Sequence, residues 1–197
     1  MPDLRESLLR VRDLLLSAGY TVAGVRELLG PVAGGALARD EIVPALRATR
    51  GGSPLETLTR LFWLQVPVDA GGVDADALVA AGLAETSGGE LRARLRVEPL
   101  EAVSGDGHAG YVVSDLKVRP GSGDVPAADH VVGAGGASAS LARLVVHKPV
   151  DNFLDLGTGC GVQAVHLASR SPAARITATD VNPRALELTA MSLALSG

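Results

Sequence analysis

Apolar positions in the first half of the chain recur at helical spacing, and in the last quarter they gather in short runs between glycine-rich turns. Leu4, Leu8, Val11 and Leu15 form one stripe of a helix that Asp3 is placed to cap, running to about Ala18 and stopped by Gly19. Thr21 can cap a second, short helix ending at Gly30-Pro31. Asp40 begins a third, near Glu41 to Thr49, with Pro44 tolerated in its first turn. Gly51-Gly52 breaks the chain. Ser53-Pro54-Leu55-Glu56 then reads as a capping box with Pro at the first helical position. The helix it opens carries Leu55, Leu58, Leu61, Phe62 and Trp63, a stripe expected in a core. Asp74 to Ala81 forms another short helix.

The period then changes. Leu83-Ala84-Glu85, a turn over Thr86-Ser87-Gly88-Gly89, and the strictly alternating Leu91 to Val97 predict a hairpin with a half-buried second strand. Helices followed by such a hairpin suggest a winged-helix-like module over roughly residues 40–100. Gly105 to Gly110 reads as a linker, Tyr111 to Leu116 as a short strand, and Arg119 to Asp129 as loop. These signals place a domain boundary between residues 1–104 and 105–197.

From residue 151 the pattern is strand, helix, strand, helix. Phe153 to Leu156 and Arg175 to Thr179 are the strands; Val162 to Ser169 and Pro183 to Leu195 are the helices. Alternation of this kind implies a parallel sheet and an α/β fold. At the first strand-to-helix turn stands Asp155-Leu156-Gly157-Thr158-Gly159-Cys160-Gly161. Alternate glycines let a backbone turn tightly and approach a ligand that a Cβ would block. Free N–H groups at the start of the following helix are then expected to point at that ligand. Asp180 ends the next strand, where a carboxylate can accept two hydrogen bonds from a ribose diol, and Asn182-Pro183 follows as cap and first helical residue. A dinucleotide fold is the rival, since Gly159-Cys160-Gly161-Val162-Gln163-Ala164 fits G-x-G-x-x-A. Asp155 at the strand end, the additional Gly157 and the long helical region ahead of the motif all oppose it.

Composition removes several classes of function. A formal net charge of −4 gives no global basic field for nucleic acid, although a local patch remains open. Aromatic residues are 3% of the chain, too few for base-stacking platforms. The single cysteine excludes an internal disulfide framework. The first residues are acidic where a secretory signal would be basic, and no uncharged apolar run reaches the roughly 18 residues of a membrane span. The expectation is a soluble cytoplasmic protein with no membrane partner and no metal.

Residues 155–161 resemble motif I of class I S-adenosylmethionine-dependent methyltransferases. Thr179-Asp180-Val181-Asn182-Pro183-Arg184-Ala185-Leu186 resembles the segment after their second strand, in wording closest to the branch that methylates ribosomal RNA guanine or release-factor glutamine. The resemblance covers about residues 130–197. It implies a Rossmann-like methyltransferase sheet, of which this chain holds the first part, preceded by an N-terminal helical, winged-helix-like substrate-recognition module. It implies S-adenosyl-L-methionine as cofactor, with Gly157, Gly159 and Gly161 facing its methionine and ribose. Asp180 would take the ribose hydroxyls, Val181 would lie against the adenine, and Asp155 would help hold the methionine ammonium. Gly133 to Ser138 sits where this branch has a loop beside the methionine end; the plainer reading is a turn capped from Ser138 or Ser140.

The function so implied is N-methylation of a macromolecule, RNA or protein. The branch places an Asn-Pro-Pro-aromatic motif after its fourth strand, and none occurs here. The acceptor residues are therefore expected beyond residue 197, which makes this chain an N-terminal portion, inactive alone, with incompletely packed faces at Phe153, Leu154 and Ile176. A non-catalytic nucleotide-binding or regulatory protein is the alternative, and a NAD-dependent oxidoreductase the weaker rival.

Other reactive residues read as structural. Cys160 is expected to pack in its loop. His108, His130, His147 and His166 lack metal-ligand spacing. Arg92, Arg94 and Arg96 share one face of the expected hairpin strand, either solvated or contacting phosphates.

Overall fold

The computed structural model describes residues 3–103, 107–118, 123, 125–145, 148 and 150–197. His147, and Gly105 with its neighbour Asp106 in the expected linker, lie outside them. The chain divides into two compact units, Met1–Arg96 with Val118–Asp124, and Val97–Lys117 with Val125–Gly197.

In the first unit, α1 (Leu4–Ser17) buries Ser7, Leu8, Val11 and Leu15. Leu4, at the helix's first position, is instead half exposed. Asp3 precedes α1 without making a side-chain capping bond. Thr21 does cap α2 (Val22–Leu37), accepting from the Gly24 N–H at 3.0 Å. Gly30, at φ 63°, breaks this helix where the sequence suggests it ends. Pro31 then restarts it, because a proline at a first helical position gives up only an N–H that has no helical partner. Asp40 does not cap α3 (Val43–Ala48); it sits upstream in the left-handed region at φ 59°.

The capping box is formed as expected at α4 (Pro54–Leu58): Ser53 Oγ accepts from the Glu56 N–H, and Glu56 Oε2 accepts from the Ser53 N–H at 2.9 Å. The helix continues as a π-helical turn over Thr59–Trp63, with Thr59 Oγ1 bonded back to the Leu55 carbonyl. This widened turn brings Leu58, Leu61, Phe62 and Leu64 to full burial, with the Tyr20 and Phe62 rings 6.3 Å apart. After β1 (Val68–Asp69), Asp74 caps α5 (Ala75–Ala80) by accepting from the Ala77 N–H. β2 (Ala84–Ser87) and β3 (Glu90–Ala93) form the expected hairpin, and β1 pairs antiparallel on the other side of β3.

The alternating run from Leu91 to Val97 is two strands, not one. β3 ends at Ala93, and β4 (Arg96–Glu101) pairs with β5 (His108–Ser114) in a separate sheet. Arg92, Arg94 and Arg96 therefore do not share one strand face. Arg92 pairs with Glu90 at 2.9 Å, Arg94 approaches Glu85 at 3.9 Å, and the Arg96 guanidinium lies over the Trp63 ring at 5.5 Å.

In the second unit, α6 (Gly136–Leu144) starts after Gly135 without a side-chain cap, so neither Ser138 nor Ser140 caps it. β6 (Asn152–Leu156), α7 (Val162–Arg170), β7 (Arg175–Thr179) and α8 (Pro183–Ser196) follow the expected βαβα order. β6 and β7 are parallel, with Asp155 opposite Ala178 and Leu156 opposite Thr179. α8 packs on β5 through small side chains, which allow close approach. Ser192 Oγ accepts from the Val113 N–H at 2.8 Å, and Ser196 Oγ from the Tyr111 N–H at 3.0 Å. One face of β6 stays open: Leu154 is 59% and Leu156 82% exposed.

Candidate functional site

The carboxyl ends of β6 and β7 bring the glycine turn and Asp180 together. Gly157, Gly159 and Gly161 all lie in the left-handed region, at φ 74°, 58° and 85°. Such a turn is costly for any residue with a Cβ. At Gly157 and Gly159 an added Cβ would meet no protein atom within 4 Å, so both positions open onto free space. At Gly161 it would meet Thr189 of α8 at 3.1 Å, so that glycine serves helix packing.

Four N–H groups of this turn have acceptors within the protein. Gly157 and Thr158 both donate to the Thr179 carbonyl, at 2.8 and 2.9 Å, and Gly161 donates to the Thr158 carbonyl at 2.9 Å. Gly159 donates to Asp180 Oδ2 at 2.9 Å. The turn is thus braced against the end of β7.

Asp180 is fixed from both sides. Its Oδ1 accepts from the Asn182 N–H at 2.9 Å while Oδ2 takes Gly159. Those backbone donors, Asn182 first, hold its carboxyl below the ordinary range against the opposing effect of burial. Asn182 in turn caps α8 by accepting from the Arg184 N–H. Beside them Val181 presents its side chain fully to solvent. Asp155 is buried, and its Oδ2 accepts the Thr158 hydroxyl at 2.7 Å.

Cys160 is buried in the loop. Burial first, then the charges of Glu98 and Asp155, push its thiol up to about 12. Among the described residues no group of three His, Cys, Asp or Glu could hold a metal, and no helix is long and apolar enough to cross a membrane.

Several residues around the site have no local signal in the sequence. Asp115, at the end of β5, pairs with the Arg184 guanidinium through both carboxylate oxygens and also accepts from the Val131 N–H at 2.8 Å. Burial acts to raise the Asp115 carboxyl, but the Arg184 and Val131 bonds outweigh it and hold it below its usual value. Asn182 Nδ2 donates to the Asp129 carbonyl at 2.8 Å. Glu98, buried on β4, accepts from the Ala134 N–H at 3.1 Å.

With this geometry in place, similarity to known proteins falls in two segments. Residues 134–197 match the family described as Methyltransferase small domain, and residues 17–94 match a Domain of unknown function (DUF7059). The chain is 48% identical over 52 residues to a release factor glutamine methyltransferase of Deinococcus radiodurans, covering 26% of this chain and 18% of that protein. It is 54% identical over 50 residues to a tRNA1(Val) (adenine(37)-N6)-methyltransferase of Flavobacteriaceae bacterium (strain 3519-10), covering 25% of this chain and 22% of that protein. The chain thus spans about a fifth of the length of these curated relatives. Family and relatives agree with the resemblance read from residues 155–161 and 179–186: residues 134–197 are similar to the Methyltransferase small domain.

Proposed function

We propose that this chain is the cofactor-binding portion of an S-adenosylmethionine-dependent N-methyltransferase acting on a macromolecule, RNA or protein. Its first unit would be a winged-helix-like module that meets the substrate. S-adenosylmethionine would supply an electrophilic methyl on a sulfonium, with S-adenosylhomocysteine leaving as the acceptor nitrogen is methylated. What this chain contributes is binding and orientation. Gly157 and Gly159 leave room for close approach. Asp180, with two oxygens fixed and ionised, accepts from the ribose hydroxyls. Val181 offers an exposed apolar face to the adenine.

The observation that carries this reading is the internal bracing of the glycine turn. The N–H groups of residues 157, 158, 159 and 161 have acceptors within the protein, one of them the Asp180 carboxylate, which locks that carboxylate to the turn. The buried Asp155 carboxyl stands beside the same loop, bonded to the Thr158 hydroxyl. An acidic group there disfavours a dinucleotide diphosphate and favours a ligand whose reactive end is cationic.

The hairpin gives no equal support to a phosphate-gripping role. Glu85 and Glu90 balance Arg94 and Arg92, so it offers little net positive charge. The direct test is calorimetric titration of the 197-residue chain with S-adenosylmethionine, S-adenosylhomocysteine and NAD. Saturable binding of the first two without the third is expected. Binding of NAD alone would refute the reading.

A further inference from the structure

Residues 129–138 lead from the middle of the second unit into α6, and the structure ties them down at four places. Each tie runs to a different element around the glycine turn. At one end the Asp129 carbonyl accepts from Asn182 Nδ2 at 2.8 Å, which joins it to the turn that carries Asp180 and Val181. Val131 exchanges bonds with Asp115: its N–H donates to Asp115 Oδ2 at 2.8 Å, and its carbonyl accepts from the Asp115 N–H at 3.1 Å. At the centre the Ala134 N–H donates to Glu98 Oε2 at 3.1 Å. At the far end the Ser138 carbonyl accepts from Gln163 Nε2 at 2.8 Å, which joins it to the first turn of α7. The segment is therefore a strap running from the β7–α8 turn to the start of α7, past both ends of the candidate site.

The central tie differs from the others. Glu98, 5% exposed, reaches from β4 so that its Oε2 accepts from the Ala134 N–H of the strap. The strap is shaped to receive it. A Cβ on Gly133 would run into Glu98 Oε2, and it would also lie 2.9 Å from Ser114 Oγ. Gly133 is thus a glycine because Glu98 occupies the space where its side chain would be.

We infer that Glu98 is a positioning residue for the cofactor: by holding Gly133–Ala134 it fixes the strap beside the glycine turn, so that the strap forms one wall of the cofactor site. This rests on the reading of that site given above. Glu98 itself need not touch the ligand. It acts through the Ala134 N–H, and an amide oxygen at the same place can do the same work.

The test uses the 197-residue chain and S-adenosylhomocysteine as probe, with affinity read by calorimetry and strap order by amide exchange. Glu98→Ala should weaken binding by about tenfold or more, the usual consequence of losing a hydrogen bond to a charged group. It should also speed exchange across residues 131–138 while α7 and α8 stay protected. Glu98→Gln keeps an acceptor for the Ala134 N–H and should stay within about threefold of the parent, since neutral hydrogen bonds are only modestly weaker. Gly133→Ala should mimic Glu98→Ala. Combining the two should bind more tightly than Gly133→Ala alone, because the new methyl enters space that Glu98 has vacated. That rescue is a readout that loss of stability alone would not give.

The outcomes separate cleanly. If Glu98→Ala frees the strap but leaves affinity unchanged, the strap is not part of the site and the inference is wrong, while the reading of the site stands. If Glu98→Gln falls as far as Glu98→Ala, the charge rather than the hydrogen bond matters, and the positioning role is wrong. If the parent chain binds no S-adenosylhomocysteine, both the reading and the inference fall.

Discussion

The two units solve the same problem, satisfying polar groups at the ends of short elements, over very different ranges. In the first unit the side-chain caps are local. Thr21 serves Gly24, Ser53 serves Glu56, Asp69 serves Gly71 and Asp74 serves Ala77, each within three residues. In the second unit the important bonds cross long stretches of chain. Asp180 meets Gly159 across 21 residues, Glu98 meets Ala134 across 36, Arg184 meets Asp115 across 69, and Ser196 meets Tyr111 across 85. A unit built from local caps can tolerate a lesion in one element. A unit laced together by distant contacts places its site where many elements converge, so a small change there has large effects.

The strongest way to break the second unit's site is Gly159→Val. A β-branched residue at φ 58° is strongly disfavoured, and the new side chain projects into the open face of the turn. Cofactor binding should be abolished, with amide protection in α1 and α4 unchanged. Normal binding by this variant would remove the turn from the site.

Phe62→Ala strikes the first unit instead. Phe62 is fully buried, so the loss should be about 3–5 kcal/mol of stability, seen as a lower denaturant midpoint for that unit. Cofactor affinity measured below the transition should not change. A parallel loss of affinity would show that the two units are not energetically separate.

Asp180→Ala comes next. It removes the ribose acceptor and also leaves the Gly159 and Asn182 N–H groups without a carboxylate, so affinity should fall about tenfold or more. The pH dependence follows in sign. The Asp180 carboxyl is held below its ordinary value of 3.8 in the folded chain, so its contribution is complete above that value and is lost only as pH falls through the lower folded one. Cofactor affinity should therefore show no step from Asp180 between about pH 7 and 5. A step in that window that is absent from the alanine variant would contradict the bracing described here.

The smallest effect is expected at the hairpin. Replacing Arg92 and Arg94 with Gln should change the salt dependence of RNA binding by less than about one counterion, because both arginines already have carboxylate neighbours. A change approaching two would restore a phosphate-contacting hairpin.

What the sequence made legible follows the same division. The capping box at Ser53, the break at Gly30-Pro31 and the βαβα order after residue 151 were readable because each is written in a few adjacent residues. The glycine turn and Asp180 were readable for the same reason. The division of residues 91–97 between two sheets was not. Leu91, Leu95 and Val97 are all buried on alternate positions, so the period of two runs straight through a change of partner strand. The π-helical turn at Thr59–Trp63 was hidden too, since an apolar stripe does not distinguish it from an ordinary helix. Glu98, Asp115 and Arg184 gave no sign at all. Their roles depend on partners 36 and 69 residues away, which no window of sequence contains.

The burial of Cys160 turns the chain into its own sensor. Burial pushes its thiol well above the ordinary range, so almost no thiolate is present at pH 7, and the residue is only 3% exposed. Iodoacetamide can therefore reach it only when the glycine turn opens, and because it is the single cysteine in the sequence, every label incorporated reports that one event. Alkylation rate becomes a clock for local opening. A ligand that binds only the closed turn must slow that clock by a factor of one plus its concentration over its Kd. The affinity of the site can thus be read from mass spectra of the alkylated natural sequence, without a mutation or a turnover assay.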